Sequence, residues 1–345
     1  MKVAISNFSK PVRHSADFRI YWRGHSKPSR GNRLSLFEYK ADWGFHIYAL
    51  GVYLMDKGVA DEVEFWDFGQ QRSTAYHPYG VLNVTFYNEA DLKAYMERYG
   101  CPDLYIHHGG VAGHSILRYL KGKAFTVYVP ALRYGYRIER LIDRMGNFRA
   151  SCYLVDSEEY LDDRSMLYIP VVNTEKIRPR AAATKRDFIY LARNYGNKRH
   201  DIIVKAVRGK PMTGHFHPVD ASKLDLKDTG ITTSDWNEAD VVELLTTSRI
   251  AVYPGDYTSN PAAMWECVAA GLPIVVNEDI KGGKYLVVPG VTGEFASEAT
   301  FYEVMQEVLA NRERYRPREY FMEHWDTVRT LEKYLGFFKE MGWSH

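Results

Sequence analysis

Cysteine is scarce: Cys101, Cys152 and Cys267 are the only three in 345 residues, and they lie far apart. Such spacing excludes a disulfide scaffold and a cysteine-built metal site, and it fits isolated thiols in a reducing compartment. No apolar run approaches the ~18 residues of a membrane-spanning helix, and Met1 to Ser9 is too short and polar for a signal peptide. The expectation is a cytoplasmic protein, with peripheral attachment to the inner face of a membrane left open. Charge of one sign is also lacking. The 45 basic and 43 acidic residues leave a formal charge of +2, so no global field calls for a polyanion. Repeats and low-complexity tracts are missing, and the twelve histidines are scattered without ligand spacing. No metal and no cofactor are expected.

What is present is an ordinary globular composition, 46% hydrophobic and 26% charged, long enough for two domains with cores of their own. One segment is uneven: Lys10 to Arg33 carries seven Lys/Arg against the single Asp17. It suits a phosphorylated substrate, an anionic lipid surface or a nucleic acid, or else a solvated loop. Short apolar strands alternate with helical periodicity along the chain, beginning at Lys2 to Asn7. Strands follow at 61–68, 81–86, 103–107, 124–129, 151–155 and 166–169. Helical patterns occupy 42–57, 89–99, 115–120 and 136–145. A linker-like stretch rich in Pro, Arg and Ala runs from Pro170 to Lys185, and the alternation then restarts. Its strands fall at 187–191, 230–233 and 249–253, with helices at 200–207, 238–246, 301–311 and 324–338. This spacing predicts an α/β protein of two doubly wound units. The expected domains are 1–170, 171–320, and a terminal helical segment 321–345 that returns to the first.

The most informative stretch is Tyr253 to Ala296. A strand ends at Tyr253, a turn-rich loop covers Pro254 to Asn260, and Pro261 suits the first position of a helix running to Ala270. Leu272 to Val276 is a second strand, and Gly282-Gly283 opens another tight loop. Open parallel sheets bind ligands beyond the carboxyl ends of their strands, and helix N–H groups at Asn260 to Met264 suit an anion or sugar hydroxyls. Glu266 sits one turn inside an otherwise apolar helix, where a carboxylate needs a partner or a ligand.

The order of these residues resembles the nucleotide-sugar site of the large retaining glycosyltransferase family with two Rossmann-like domains facing across a cleft, the GT-B fold (glycosyltransferase group 1, family 4-like). The run Glu266-Cys267-Val268-Ala269-Ala270-Gly271-Leu272-Pro273 carries the likeness, continued by Pro289-Gly290-Val291-Thr292-Gly293. Ile169-Pro170-Val171 to Pro179 is similar to the family's interdomain crossing. Leu191-Ala192-Arg193 with Gly196 to His200 is similar to its diphosphate-binding segment, and Pro102 to Gly109 to the strand that ends in an active-site histidine.

The resemblance implies a transferase that moves a sugar from a nucleoside-diphosphate sugar to a hydroxyl acceptor with retention, in glycan, polysaccharide or glycolipid synthesis. It implies catalytic roles for His108, Arg193 and Lys198. Donor contacts would come from Arg193, Lys198, Thr258, Asn260, Pro261, Ala262 and Glu266. Lys10, Arg13 and His46 would lie on the acceptor side, toward a carbohydrate, lipid-linked or phosphorylated acceptor. His107 and His108 are neighbours on a strand, so at most one of them enters a cleft. The family pairs two glutamates seven residues apart in its donor loop. Here the second is Glu266 and the first position holds Thr258, with Asp256 two residues away. That departure keeps other readings open: a catalytically degenerate nucleotide-sugar-binding homologue, an epimerase or phosphorylase on the same double fold, and a transferase acting on modified phage DNA.

Overall fold

The computed structural model describes residues 1–7, 19–21, 50–51, 53–55, 57–68, 81–86, 89–109, 114–130, 150–155, 158, 161–170, 172, 174, 177–179, 183–194, 196–235, 241–257 and 262–344. In chain order the strands and helices of the first part are β1 (Lys2–Asn7), β2 (Arg19–Tyr21), β3 (Glu62–Phe68), β4 (Val81–Phe86), α1 (Glu89–Tyr99), β5 (Leu104–Gly109), α2 (His114–Leu120), β6 (Phe125–Pro130), β7 (Cys152–Val155) and β8 (Ser165–Leu167). Residues 50–51 and 53–55 are helical as well, within the predicted helix 42–57. The second part contains β9 (Arg186–Leu191), α3 (His200–Val207), β10 (Thr213–His217), β11 (Gly230–Thr233), α4 (Val241–Thr246), β12 (Ser248–Tyr253), α5 (Ala262–Ala269), β13 (Ile274–Asn277), β14 (Gly293–Ala296), α6 (Phe301–Ala310), α7 (Pro317–His324) and α8 (Thr327–Glu340). The predicted helix 136–145 and the residues Lys10, Arg13, His46, Thr258, Asn260 and Pro261 lie outside the described residues.

Two compact units result. One comprises residues 1–155, 159–171 and 331–345, the other 156–158 and 172–330. The first unit holds an eight-stranded sheet ordered β2-β4-β3-β1-β5-β6-β7-β8. Every pairing in it is parallel except β2 with β4. Its core gathers Trp66, Tyr95 and Tyr105 with Leu92, Ile116 and Leu120 from α1 and α2. Residues 331–345 complete it. Leu331, Tyr334 and Phe338 are buried, and the Tyr334 hydroxyl donates to the Ile169 carbonyl at 2.8 Å.

Within this core Glu64 is fully buried and fully matched. Its carboxylate accepts from Trp66 Nε1 at 2.6 Å and from the Tyr95 hydroxyl at 2.7 Å. The Lys2 ammonium stands 2.8 Å away. A buried carboxylate is tolerated when it is paired and hydrogen-bonded, as here.

The second unit holds a six-stranded, wholly parallel sheet ordered β11-β10-β9-β12-β13-β14. β12 and β13 are almost entirely buried, as their apolar runs require when both faces are covered. The chain leaves β9 for β10 and β11, then returns to β12 on the other side of β9. That reversal creates a topological switch point at the carboxyl ends of β9 and β12. On the far side of α5, the Arg318 guanidinium donates to the Ala269, Ile177 and Thr174 carbonyls. One side chain thus closes the C-terminus of α5 and fixes the segment that enters the unit.

Four elements were not expected from the sequence: β2, β10, β14 and α7. β2 lies inside the basic segment expected as loop, as an antiparallel edge strand on β4. β10 was not expected at all, because Thr213-Gly-His-Phe-His lacks an apolar alternation. Both nitrogens of His215 and Nδ1 of His217 are hydrogen-bonded to the Thr232 and Ser234 hydroxyls. The helix expected at 324–338 is α8, at 327–340, and α7 precedes it unexpectedly at 317–324. The Asp326 carboxylate accepts from the Val328 N–H at 2.8 Å and begins α8 afresh.

Candidate functional site

Three loops meet at the switch point of the second sheet. After β9, residues 192–194 lead to a single 3₁₀ turn, Gly196–Lys198, and then to α3. The Lys198 ammonium donates to the Tyr257 carbonyl at 3.2 Å, and Asn197 Nδ2 approaches the same oxygen at 3.4 Å. The Asp256 N–H donates to the Asn197 carbonyl at 3.1 Å. The backbones come so close that a Cβ on Gly255 would stand 2.9 Å from the Asn197 oxygen, so this position needs a glycine. The loop after β13 joins in: the Lys281 N–H donates to the Asp256 carbonyl at 2.9 Å, and Asn277 Nδ2 to the Pro254 carbonyl at 3.1 Å. Gly282 and Gly283 both turn through positive φ, 82° and 80°.

Arg199 ties the same loops by charge. Its guanidinium meets Asp256 at 3.2 Å, Asp201 at 3.1 Å and Glu298 at 3.1 Å. The Asp201 hydrogen bond and the neighbouring carboxylates hold its pKa above the usual arginine value. Its backbone is left-handed, φ 47°, a conformation a non-glycine residue keeps only when its surroundings impose it. The Asp256 carboxylate, the nearest to Thr258 in sequence, is therefore already matched by a cation.

Arg193 is half-buried just beyond β9, and Lys198 half-buried at the end of the 3₁₀ turn. On α5 the packed side is Met264, Trp265, Cys267 and Val268, with Trp265 against Phe321 and Trp325 at ring separations of 5.8 and 5.4 Å. Ala262, Ala263 and Glu266 are only half-buried. Helical spacing of three and four puts them on one stripe, so Glu266 stands on the less covered side of the helix. Arg193 and Lys198 thus follow β9, and Ala262 and Glu266 follow β12, at the same end of one sheet.

The first unit has a parallel arrangement. β1 and β5 are neighbours from which the chain departs in opposite directions, and Asn7 pairs with His108 at their carboxyl ends. His107 is held inside: its Nδ1 lies 2.7 Å from the Ser6 hydroxyl, and its ring stacks at 5.6 Å on Tyr128. His108 projects to the other face, where it stacks at 6.1 Å on Tyr168. Among the described residues no cluster of histidine, cysteine and carboxylate side chains is arranged to hold a metal.

Two buried histidines of the second unit are kept neutral. Burial pushes the pKa of His200, and likewise that of His215, down from 6.5 to about 4. Between pH 6.5 and 4 the unfolded chain takes up protons that the folded chain refuses. Stability should therefore fall as pH drops through that window, and return above it. Full protonation of the unfolded His200 against a neutral folded one costs about 3 kcal/mol at the acid end. Thermal melts at pH 7 and pH 4.5 should show a clearly lower midpoint in acid. Replacing His200 with Leu should reduce the difference and leave the share due to His215, and equal midpoints for the unaltered chain would contradict neutral burial.

No family model and no curated protein matches the sequence. Solved structures do. Sucrose-phosphate synthase from Thermosynechococcus elongatus aligns with a TM-score of 0.70 at 14% identity, over 99% of this chain and 98% of that one. The lipopolysaccharide outer core galactosyltransferase WaaB aligns at 0.67 and 12% identity, over 99% of both chains. Anabaena HepE, solved with UDP and glucose, aligns at 0.68 and 12% identity, over 97% of this chain and 98% of that one. The chain has the GT-B fold, with two Rossmann-like units.

Proposed function

We propose that this protein is a glycosyltransferase that moves a sugar from a nucleoside-diphosphate sugar to a hydroxyl acceptor with retention of configuration. The observation that carries the reading is the cluster at the switch point of the second sheet. Two cationic side chains after β9 and a half-open carboxylate on α5 occupy the place where such sheets take a nucleotide. Arg193 offers a planar fork for diphosphate oxygens, and Lys198 a compact charge fixed by its bond to Tyr257. Both would stabilise the leaving diphosphate as the sugar acquires oxocarbenium character. Glu266 would accept two ribose hydroxyls. The N-terminus of α5, with Thr258, Asn260, Pro261 and Ala262, would face the donor sugar. In the first unit His108 would support the sugar, while Lys10, Arg13 and His46 would serve the acceptor.

The chemistry is consistent with front-side displacement, in which the leaving diphosphate takes the acceptor proton and no protein nucleophile is used. HepE, with UDP and glucose bound, supports a nucleotide and a carbohydrate as ligand classes. On this reading the acceptor is a carbohydrate, lipid-linked or phosphorylated hydroxyl compound. The basic segment Lys10 to Arg33 suits an anionic acceptor or a membrane contact, and the near-neutral total charge argues against nucleic acid.

A thermal-shift screen of UDP, GDP and ADP with their sugar conjugates tests the assignment, since a ligand of the native state raises the midpoint. One base should stand out. Glu266→Gln should then weaken that nucleoside diphosphate about tenfold, whatever sugar it carries, through loss of charge-assisted hydrogen bonds. If none of these compounds stabilises the protein, the assignment fails. Intact affinity in Glu266→Gln would move the ribose elsewhere.

A second reading, nucleotide-sugar binding without transfer, is favoured by one observation. Thr258 stands where the related enzymes carry a carboxylate, and Asp256 beside it is paired with Arg199. Donor binding without turnover against a panel of acceptors would decide for it. Thr258→Glu should mainly alter discrimination among sugars.

A further inference from the structure

We infer that Tyr190 and His200 are positioning residues for diphosphate binding, forming a crossed brace that fixes both ends of the loop bearing Arg193 and Lys198. This deepens the proposed function and rests on it. The Tyr190 hydroxyl, from the penultimate residue of β9, donates forward to the Lys198 carbonyl at 2.6 Å. His200 Nε2, from the first turn of α3, reaches back to the Ala192 carbonyl at 3.2 Å. A carbonyl can only accept, so Nε2 carries the proton. His200 Nδ1 has no hydrogen-bond partner among the described residues, as that tautomer allows. Each bond spans eight residues, in opposite directions. The two rings touch at a centroid distance of 4.7 Å, and both are almost wholly buried.

The brace acts on the two carbonyls next to the functional side chains. Ala192 immediately precedes Arg193, and the Lys198 carbonyl belongs to the residue whose ammonium meets Tyr257. Neither ring is placed to touch a diphosphate itself. Their effect is preorganisation: the cations need not be gathered when the anion arrives, so less ordering is spent on binding. Neutral burial of His200 also keeps the brace closed through the physiological pH range.

The test pairs Tyr190→Phe, which deletes one hydroxyl and keeps the ring, with His200→Leu and His200→Gln. Two quantities are measured on the full chain: amide exchange of Asp256, whose N–H is bonded to the Asn197 carbonyl, and the dissociation constants of UDP, GDP, ADP and inorganic pyrophosphate. Tyr190→Phe and His200→Leu should each speed that exchange and weaken the tightest of these ligands about tenfold, with His200→Gln nearer the unaltered protein because it keeps a donor. Unchanged exchange would overturn the inference. Faster exchange with unchanged affinity would also overturn it, leaving only a structural tie. If the unaltered protein binds none of the four compounds, the proposed function falls and this inference with it. Binding that the variants leave intact removes the brace alone.

Discussion

Arg193→Ala and Lys198→Ala should each lower kcat/KM by the equivalent of about 2–4 kcal/mol, the scale of a lost transition-state donor. The two losses differ in kind. Arg193 is half-buried on the residue after Ala192, and its contribution is the fork itself. Arg193→Lys should therefore recover little, because a point charge cannot make two parallel bonds to phosphate oxygens. Lys198 has two tasks, since its ammonium also holds the Tyr257 carbonyl. Its removal releases the loop after β12 along with the charge, so Lys198→Ala should raise KM more than Arg193→Ala does. Steady-state kinetics with the donor found in the thermal screen separates the two. Unchanged turnover and unchanged specificity in both variants would remove the pair from the site.

The largest effect on folding is expected at Glu64. Glu64→Ala leaves the Lys2 ammonium without its buried counter-charge and strands the Trp66 and Tyr95 donors in the core. Breaking one side of such a cluster typically costs about 3–5 kcal/mol, because the abandoned charge stays buried. Glu64→Gln should cost less. It retains an acceptor, yet turns an amide donor toward a neighbourhood made of donors. Urea titrations of the variants give the comparison. A midpoint for Glu64→Ala close to that of the unaltered chain would mean that Lys2 escapes to water and the cluster is not closed.

How much of this was legible in the sequence differs from element to element. The apolar runs 250–253 of β12 and 274–276 of β13 are what strands covered on both faces usually present. β10 was illegible for the opposite reason. His215 and His217 read as polar, and only Thr232 of β11 and Ser234 just beyond it make their burial tolerable. The start of α8 had a readable signal in Asp326, a capping residue two positions before Val328. In the site, Arg193, Lys198 and Glu266 were singled out by the order of motifs in the resemblance. The partners that hold the site together were not. Tyr190 looks like any aromatic strand residue, and His200 like a helix-face histidine, until folding brings each against a carbonyl eight residues away. The matched state of Asp256 likewise depends on a left-handed Arg199 that propensity argues against.

The return of residues 331–345 to the first unit has a consequence for synthesis on the ribosome. A nascent chain can assemble β1 to β8 early, but Leu331, Tyr334 and Phe338 are still missing from the core at that stage. The Ile169 carbonyl waits for the Tyr334 hydroxyl until the second unit has emerged. The second unit, contiguous from 172 to 330 but for residues 156–158, has its full set of strands sooner. The part made first is thus finished last. A premature stop immediately before residue 331 would leave the N-terminal core exposed on a chain whose second unit is complete, a species suited to capture by chaperones or proteases.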